Sequence, residues 1–335
     1  MIYEISNYLL ENREKLELPQ GQGSILNFFK IGGNPWKHGR INFLIFYKGH
    51  SEPVLFVKVM RERDKNESLR HEYNIIKKVA SCEKLALFLP LPVHIVNLSG
   101  RDVMIQKACH GERMLSFLST SPILYFQKDT IVKNFSRALE FITLLNTYQK
   151  NHINIDEFRN CIIEPIKHFY KEYYYSKEDN SALVKLLDRI SHLMENNPLT
   201  TILHGDFSAT NIFLGSNNQM KIIDWETATA NGLPFFDLFY FMSKYIHNLK
   251  VLPKNRWRRV ESSYFGKNCL SEVIKHTVDE YCRQTSFSIE LARLIFPLHF
   301  LNKAQIKYAM RGRDLAQPWM ELFESSIRNL DKLCF

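Results

Sequence analysis

The chain has 335 residues, 45% of them hydrophobic and 24% charged, which is enough for one large core or two modest ones and excludes a disordered, collagenous or fibrous polypeptide. Its formal net charge is +9 and its pI near 9.1, with bases and acids interleaved, so it favours anionic partners without carrying a basic tail. The best candidate for a membrane span, residues 85–96, is short and broken by Pro90 and Pro92. The six scattered cysteines form no Cys-x-x-Cys pair, and Glu4, Glu11 and Glu14 spoil the pattern of a secretory signal; a cytoplasmic protein with reduced thiols is the expectation.

Residues 1–24 read as a helical lead-in, with Ile5, Tyr8, Leu9 and Leu16 at helical spacing and a stop at Pro19 to Gly23. Three runs rich in β-branched and aromatic residues follow, 25–31, 41–47 and 54–60, joined by polar, turn-forming segments as in an antiparallel meander. The spacing of Leu69, Tyr73, Ile76 and Val79 predicts a helix over 66–79. Strands are expected at 93–98 and 103–106 around Ser99-Gly100-Arg101, and 107–111 reads as a linker. Beyond it, 131–148, 155–174 and 180–196 read as helices, 200–224 as a β-rich island, and helical patterns resume to the end. The expected fold class is α+β: a small antiparallel β-sheet lobe with one helix over residues 1–107, and a larger, mainly helical lobe over 108–335. Ligands commonly sit where two such lobes meet.

The island carries the chemistry. His204-Gly205-Asp206 is followed by Asn211, the spacing of the aspartate and asparagine in a kinase catalytic loop. Apolar residues 212–214 and 222–223 flank a turn at 215–218, so a hairpin is expected to set Asp224 beside Asn211. Phosphoryl transfer needs the attacking hydroxyl oriented and its proton accepted, which suits Asp206. It also needs a hard divalent cation, and magnesium takes few protein oxygens, here those of Asn211 and Asp224. The competing reading has both acids capping turns near hairpin ends; the whole pattern favours the catalytic one. His204 is better suited to orienting the loop by hydrogen bonding than to transferring a proton.

The small lobe supplies an independent check. A kinase holds the α and β phosphates with a lysine on the third strand, fixed by a glutamate on the next helix. Lys58 and Glu72 occupy those places, with Glu67 as a second candidate partner. A lone strand lysine is usually a snorkelling residue, but strand order and helix placement favour function here. The segment 32–40, with Gly32 and Gly33, would bring backbone amides to the phosphates, although it fits neither common glycine-rich phosphate motif.

These residues resemble the aminoglycoside phosphotransferase and choline kinase-like family, whose pattern H-G-D-x-x-x-x-N, then a strand ending I-D-W, then G-x-P-x-x-D-L is matched at 204–211, 223–225 and 232–238. The resemblance covers residues from about 25 to 245. It implies a protein-kinase-like two-lobed fold, ATP and Mg2+ as cofactors, and Asp237 supporting the catalytic loop, with a helix N-cap as that residue's competing role. It also implies an adenine ring against the backbone of Lys107-Ala108-Cys109.

The acceptor is expected to be a small hydroxylated molecule, neutral or anionic: a sugar, polyol or glycan precursor. Polycationic drugs and quaternary amines call for acidic or aromatic pockets, whereas Lys254, Arg256, Arg258, Arg259, Lys303, Lys307, Arg311 and Arg313 make this C-terminal third basic. Trp257, Tyr264, Phe296, Phe300 and Trp319 are candidates for stacking on a sugar, with the core as the competing place for most of them. The run Arg256-Trp257-Arg258-Arg259 reads as an exposed helix face before it reads as a peripheral membrane contact. Alternatives to a small-molecule kinase with a sugar-like acceptor are an aminoglycoside or amino alcohol kinase, a protein kinase and a nucleotide-binding pseudokinase scaffold. The protein kinase lacks its A-P-E element and has Asp-Trp-Glu for Asp-Phe-Gly; the pseudokinase is disfavoured by the presence of Lys58, Glu72, Asp206, Asn211 and Asp224. Nucleic acid is not an expected partner.

Overall fold

Strand alternation organises the first part of the molecule. The computed structural model describes residues 1–18, 25–32, 39–63, 67–117, 127–148, 150–174, 181–194, 199–216, 219–250 and 255–335. After helix α1 (Ile2–Glu11), strands β1 (Leu26–Lys30), β2 (Arg40–Tyr47) and β3 (Pro53–Met60) form the expected meander. Helices α2 (Glu67–Ala80) and α3 (Glu83–Ala86) follow, then β4 (Val93–Leu98) and β5 (Arg101–Lys107). The sheet order is β1-β2-β3-β5-β4, antiparallel throughout. Successive side chains point to opposite faces of a strand. One face buries Phe43, Ile45, Leu55, Val57, Val59 and Ile105 with Ile5 and Leu9 of α1, each such side chain contributing about 1.5–3 kcal/mol. Lys58 lies in register with Asn42 and Met104, out of step with that apolar set.

Helix α2 is turned relative to the expected stripe. It buries Leu69, Ile75, Ile76 and Val79, but Glu72 is fully buried and Tyr73 only half-buried. A buried acid replaces an aromatic because cations wait for it, as described below. Lys107 still pairs with Leu55 as the last residue of β5, so the connector begins one residue later than expected.

The chain continues through β6 (Glu112–Arg113) to α4 (Lys128–Tyr148), whose Phe135 and Phe141 are buried. Next come β7 (Lys150–His152), α5 (Ile155–Phe158), α6 (Glu164–Tyr174) and α7 (Ser181–Met194). The single helix expected over 155–174 is interrupted by a π-helical turn, Arg159–Ile163, where the Glu164 N–H bonds the Arg159 carbonyl. Pro165 is the reason: it has no N–H to return to residue 161 and its ring crowds that carbonyl.

Strand β8 (Leu199–Leu203) leads to the motif loop, and β9 (Ile212–Leu214) and β10 (Met220–Ile222) form the expected hairpin, with β6 added on the β9 side. Gly111 makes that addition possible. Its φ is +107°, and a Cβ there would lie 2.1 Å from the Leu214 carbonyl oxygen. Strand β11 (Thr229–Gly232) pairs with β8, which also pairs with β7. Helices α8 (Phe236–Asn248), α9 (Arg256–Phe265), α10 (Cys269–Thr285), α11 (Ile289–Arg311) and α12 (Arg313–Arg328) complete the chain.

Packing divides the chain into two units, Met1–Arg113 with Thr210–Ala228, and Met114–Ala209 with Thr229–Phe335. In the second, Phe135 of α4 meets Phe241 and Tyr245 of α8 at 5.6 and 5.3 Å, and Phe141 stacks on Phe207 of the motif loop at 5.4 Å. Of the aromatics considered for sugar stacking, Tyr264, Phe296, Phe300 and Trp319 are core, while Trp257 is half-buried. Arg259 is buried too, its guanidinium donating to the Ile246 and Leu249 carbonyls that end α8. The basic run at 256–259 is therefore not a uniform surface face. Among the described residues no helix is long and apolar enough to cross a membrane.

Candidate active site

Glu72 is the hub of the first unit. Its Oε1 accepts from Lys58 Nζ at 2.6 Å and its Oε2 from Arg40 Nη1 at 2.7 Å. The Trp225 backbone N–H adds a third bond to Oε1 at 3.2 Å. Lys58 Nζ also reaches Asp224 Oδ1 at 3.1 Å, and Arg40 reaches Glu226 Oε2 at 3.0 Å. Burial works against the Lys58 charge, but the Glu72 and Asp224 carboxylates outweigh it and hold the lysine above its ordinary pKa. Burial raises the Glu226 pKa, with Arg40 opposing. Glu67, the other candidate partner, is exposed at the start of α2.

The β9–β10 hairpin positions Asp224. Ile222 pairs with Ile212, and the Ile223 N–H bonds the Asn211 carbonyl at 3.0 Å, so Asn211 and Asp224 lie on adjoining segments. The hairpin is tied to the segment after α3 through the Ile222 N–H on the Phe88 carbonyl at 2.8 Å, and through Lys221 on the Leu87 and Leu89 carbonyls. Trp225 is fully buried and its indole N–H bonds the Ile222 carbonyl. Between these anchors Asp224 takes a left-handed conformation, φ +68°, and keeps its side chain 43% exposed. That exposure decides its chemistry: one oxygen holds Lys58 while the group remains open to a ligand. Asn211 is buried beside it. A carboxylate and an amide on adjoining segments would offer a sparse, hard oxygen set, which suits magnesium better than a cation needing an all-protein cage. Among the described residues no three His, Cys, Asp or Glu side chains gather as a metal site.

The other expected nucleotide contacts are less defined. Gly32 follows β1 with φ +48° and open space where a Cβ would stand; Gly33 lies outside the described residues. The Ala108 N–H is committed to the Val54 carbonyl at 3.1 Å, so at 107–109 the Ala108 donor is spent. Burial pushes the Cys109 thiol up to about 11, which keeps it a neutral thiol. A cavity of about 550 Å³ borders Lys107, Cys109, Gly111 and Lys221. Neither Lys58 nor Asp224 lines it.

In the second unit the motif loop is held from below by Asp237. This buried carboxylate accepts from the His204 N–H at 2.6 Å and the Gly205 N–H at 3.0 Å, while the N-cap position of α8 is Phe235. Burial raises the Asp237 pKa, opposed by His204 and those two amides. Fully buried His204 accepts the Asp206 N–H through Nδ1 at 3.3 Å. Asp206 Oδ1 accepts from the Tyr240 hydroxyl at 2.6 Å, and burial with the neighbouring Asp206 charge keeps that phenol protonated. Lys303 of α11 donates to the Gly205 carbonyl, with its ammonium 3.7 Å from the Tyr240 ring centroid.

The sequence alone does not mark the positions that Arg40, Tyr240 and Lys303 take here. Arg40 stands at the end of the glycine-bearing segment, and Lys303 in the basic third, but neither has a local pattern that names its partner.

A sequence profile of the phosphotransferase enzyme family matches residues 38–258. No curated protein sequence gives a significant match. Among solved structures, a choline kinase from Cryptosporidium parvum superposes with a TM-score of 0.57 at 12% identity, covering 98% of this chain and 95% of that one. The choline kinase LicA from Streptococcus pneumoniae gives 0.51 at 12% identity over 98% and 99%. LicA in complex with AMP gives 0.52 at 13% identity over 98% of both chains. At such identities the likeness is one of fold, and it matches the expected kinase-like α+β class.

Proposed function

The chain belongs to the phosphotransferase enzyme family, and from that premise we propose that it transfers the γ-phosphate of ATP to a hydroxyl of a small sugar, polyol or glycan precursor. The supporting observation is the meeting of Lys58 and Asp224 at 3.1 Å, 166 positions apart in sequence, over a Glu72 that also binds Arg40. A structural ion pair needs no half-exposed member; a phosphate-binding lysine beside a cation-binding carboxylate does.

Lys58 would hold the α and β phosphates, kept charged and oriented by Glu72. Asn211 and Asp224 would hold magnesium, which when bound neutralises phosphate oxygens and leaves the protein to position the reactants. Asp206 takes the proton of the acceptor hydroxyl as that oxygen bonds to phosphorus and the bond to the β-phosphate oxygen breaks, releasing ADP. Tyr240 fixes one oxygen of Asp206, and His204 and Asp237 fix the loop that carries it. A cytoplasmic location, where ATP and magnesium are abundant, fits this reading.

The test is incubation with ATP, magnesium and a metabolite extract, with the product identified by mass. Asp206→Ala should abolish turnover and largely spare ATP binding, whereas Lys58→Met should weaken ATP binding. Turnover that survives Asp206→Ala refutes the base assignment, and an inert wild-type enzyme that still binds ATP points to a scaffold.

A further inference from the structure

Four cations, Lys244, Lys303, Lys307 and Arg256, gather near the Asp206 loop in the second unit. Lys244 follows Tyr240 by one turn of α8, and Lys307 follows Lys303 by one turn of α11, so each pair shares a helix face. Tyr240 binds Asp206, and Lys303 lies on the Tyr240 ring. Lys244 lies within the fields of Lys307, Arg256 and Asp206, and Lys303 within those of Lys307, Lys244, Asp206 and Asp237. Arg256 opens α9. Among the described residues no carboxylate stands within ion-pair distance of Lys244, Lys303, Lys307 or Arg256.

That is an expensive arrangement with only Asp206 and Asp237 to offset it. Like charges at close range repel, and partial burial strengthens the repulsion. Burial and the neighbouring cations accordingly lower the Lys244 pKa. The two acids present are already committed: Asp237 to the His204 and Gly205 amides, and Asp206 to Tyr240 and the proposed proton transfer. Trp319 lies beside the cluster, 6.0 Å from the Tyr240 ring and 5.0 Å from Trp257. Together these give a cluster of cations with the half-buried Trp257 indole nearby, joined to the Tyr240 ring through buried Trp319.

We propose that the acceptor carries an anionic group, a phosphate or carboxylate on a hydroxylated sugar or polyol, and that Lys244, Lys303 and Lys307 bind that group while Asp206 faces the hydroxyl. This rests on the kinase reading above and narrows its acceptor. The lysines are specificity-determining: they select the charged acceptor and disfavour choline-like or polycationic ones, which would meet like charge.

The test separates acceptor charge from kinase activity by omitting nucleotide. Tryptophan fluorescence of the full chain, to which Trp257 and Trp319 contribute, is titrated with glycerol, glycerol 3-phosphate and glycerate, and with glucose, glucose 6-phosphate and glucuronate. In at least one set the anion should bind ten or more times more tightly than its neutral counterpart, about 1.4 kcal/mol or more; the two kinds of anion tell phosphate from carboxylate recognition. Lys244→Met and Lys307→Met should each weaken that binding about fivefold or more, leaving ATP affinity as in wild type and thermal stability at or above it. Lys185→Met, on the exposed face of α7, should change nothing. Equal binding of neutral and charged members, no anion binding below about 10 mM, tighter binding of choline or kanamycin, or lysine variants that lose ATP affinity alone would each overturn the proposal. Failure of wild-type protein to bind ATP would instead sink the kinase reading, whatever the anion titrations give.

Discussion

Glu72 holds Lys58 and Arg40, two cations that have almost no water. Removing one member of such a group is asymmetric. Glu72→Ala leaves Lys58 with Asp224 and Arg40 with Glu226, both half-exposed acids, in place of their buried partner, and should cost about 3–5 kcal/mol of folding stability, measured by denaturant unfolding. Lys58→Met leaves Glu72 paired with Arg40 and should cost far less, while ATP affinity falls. Equal destabilisation by the two would show that Glu72 is not the hub. Lys303 makes a pH prediction. Burial lowers it most, Lys307 and Lys244 add to that, Asp206 and Asp237 oppose, and the result is a pKa of about 8. Acceptor affinity should therefore fall as pH rises through about 8, and Lys303→Arg should remove that limb from a KM–pH profile. The stability sign is opposite. An unfolded lysine titrates near about 10.4, so between about 8 and 10.4 the unfolded chain binds more protons and this group makes stability rise with pH; its full penalty is present below about 8.

At the scale of elements, the β6–β9 pairing depends on Gly111. An alanine there would hold an unfavourable φ of +107° with its Cβ 2.1 Å from the Leu214 carbonyl oxygen. Gly111→Ala should cost about 1–3 kcal/mol in backbone strain alone, seen as a lower midpoint of urea unfolding; an unchanged midpoint would show that β6 is dispensable. The elements that were legible in the sequence share one property: their signals are local. The β1–β3 meander is written in alternation and turns, and the 204–211 and 223–225 motifs in fixed spacing. The break at 159–163 was hidden because apolar periodicity runs through it, although Pro165 held the clue. Tyr73 was misplaced because the periodic reading treats an acid as solvent-facing, and only the distant Lys58 and Arg40 make Glu72 an inside residue. Tyr240 reaches Asp206 and Lys303 reaches Gly205 from 34 and 98 positions away, and no short-range pattern records such a meeting.

At the scale of the whole molecule, the net charge of +9 acts beyond contact distance. It should speed and tighten capture of ATP and of an anionic acceptor, an effect that salt removes as the Debye length falls from about 10 Å at 0.1 M to about 3 Å at 1 M. Acceptor KM measured across that range should rise for a charged acceptor and stay nearly level for its neutral counterpart. A flat response for the charged one would leave the surface field without a role in capture. The division of the chain has a different consequence, one for heredity and engineering. The first unit is assembled from two stretches, Met1–Arg113 and Thr210–Ala228, with 96 residues of the second threaded between them. No single cut in the gene yields either unit whole, and a fragment ending at Arg113 parts Lys58 from Asp224. Such a protein cannot be shuffled module by module; its two halves have to be inherited, swapped or redesigned together.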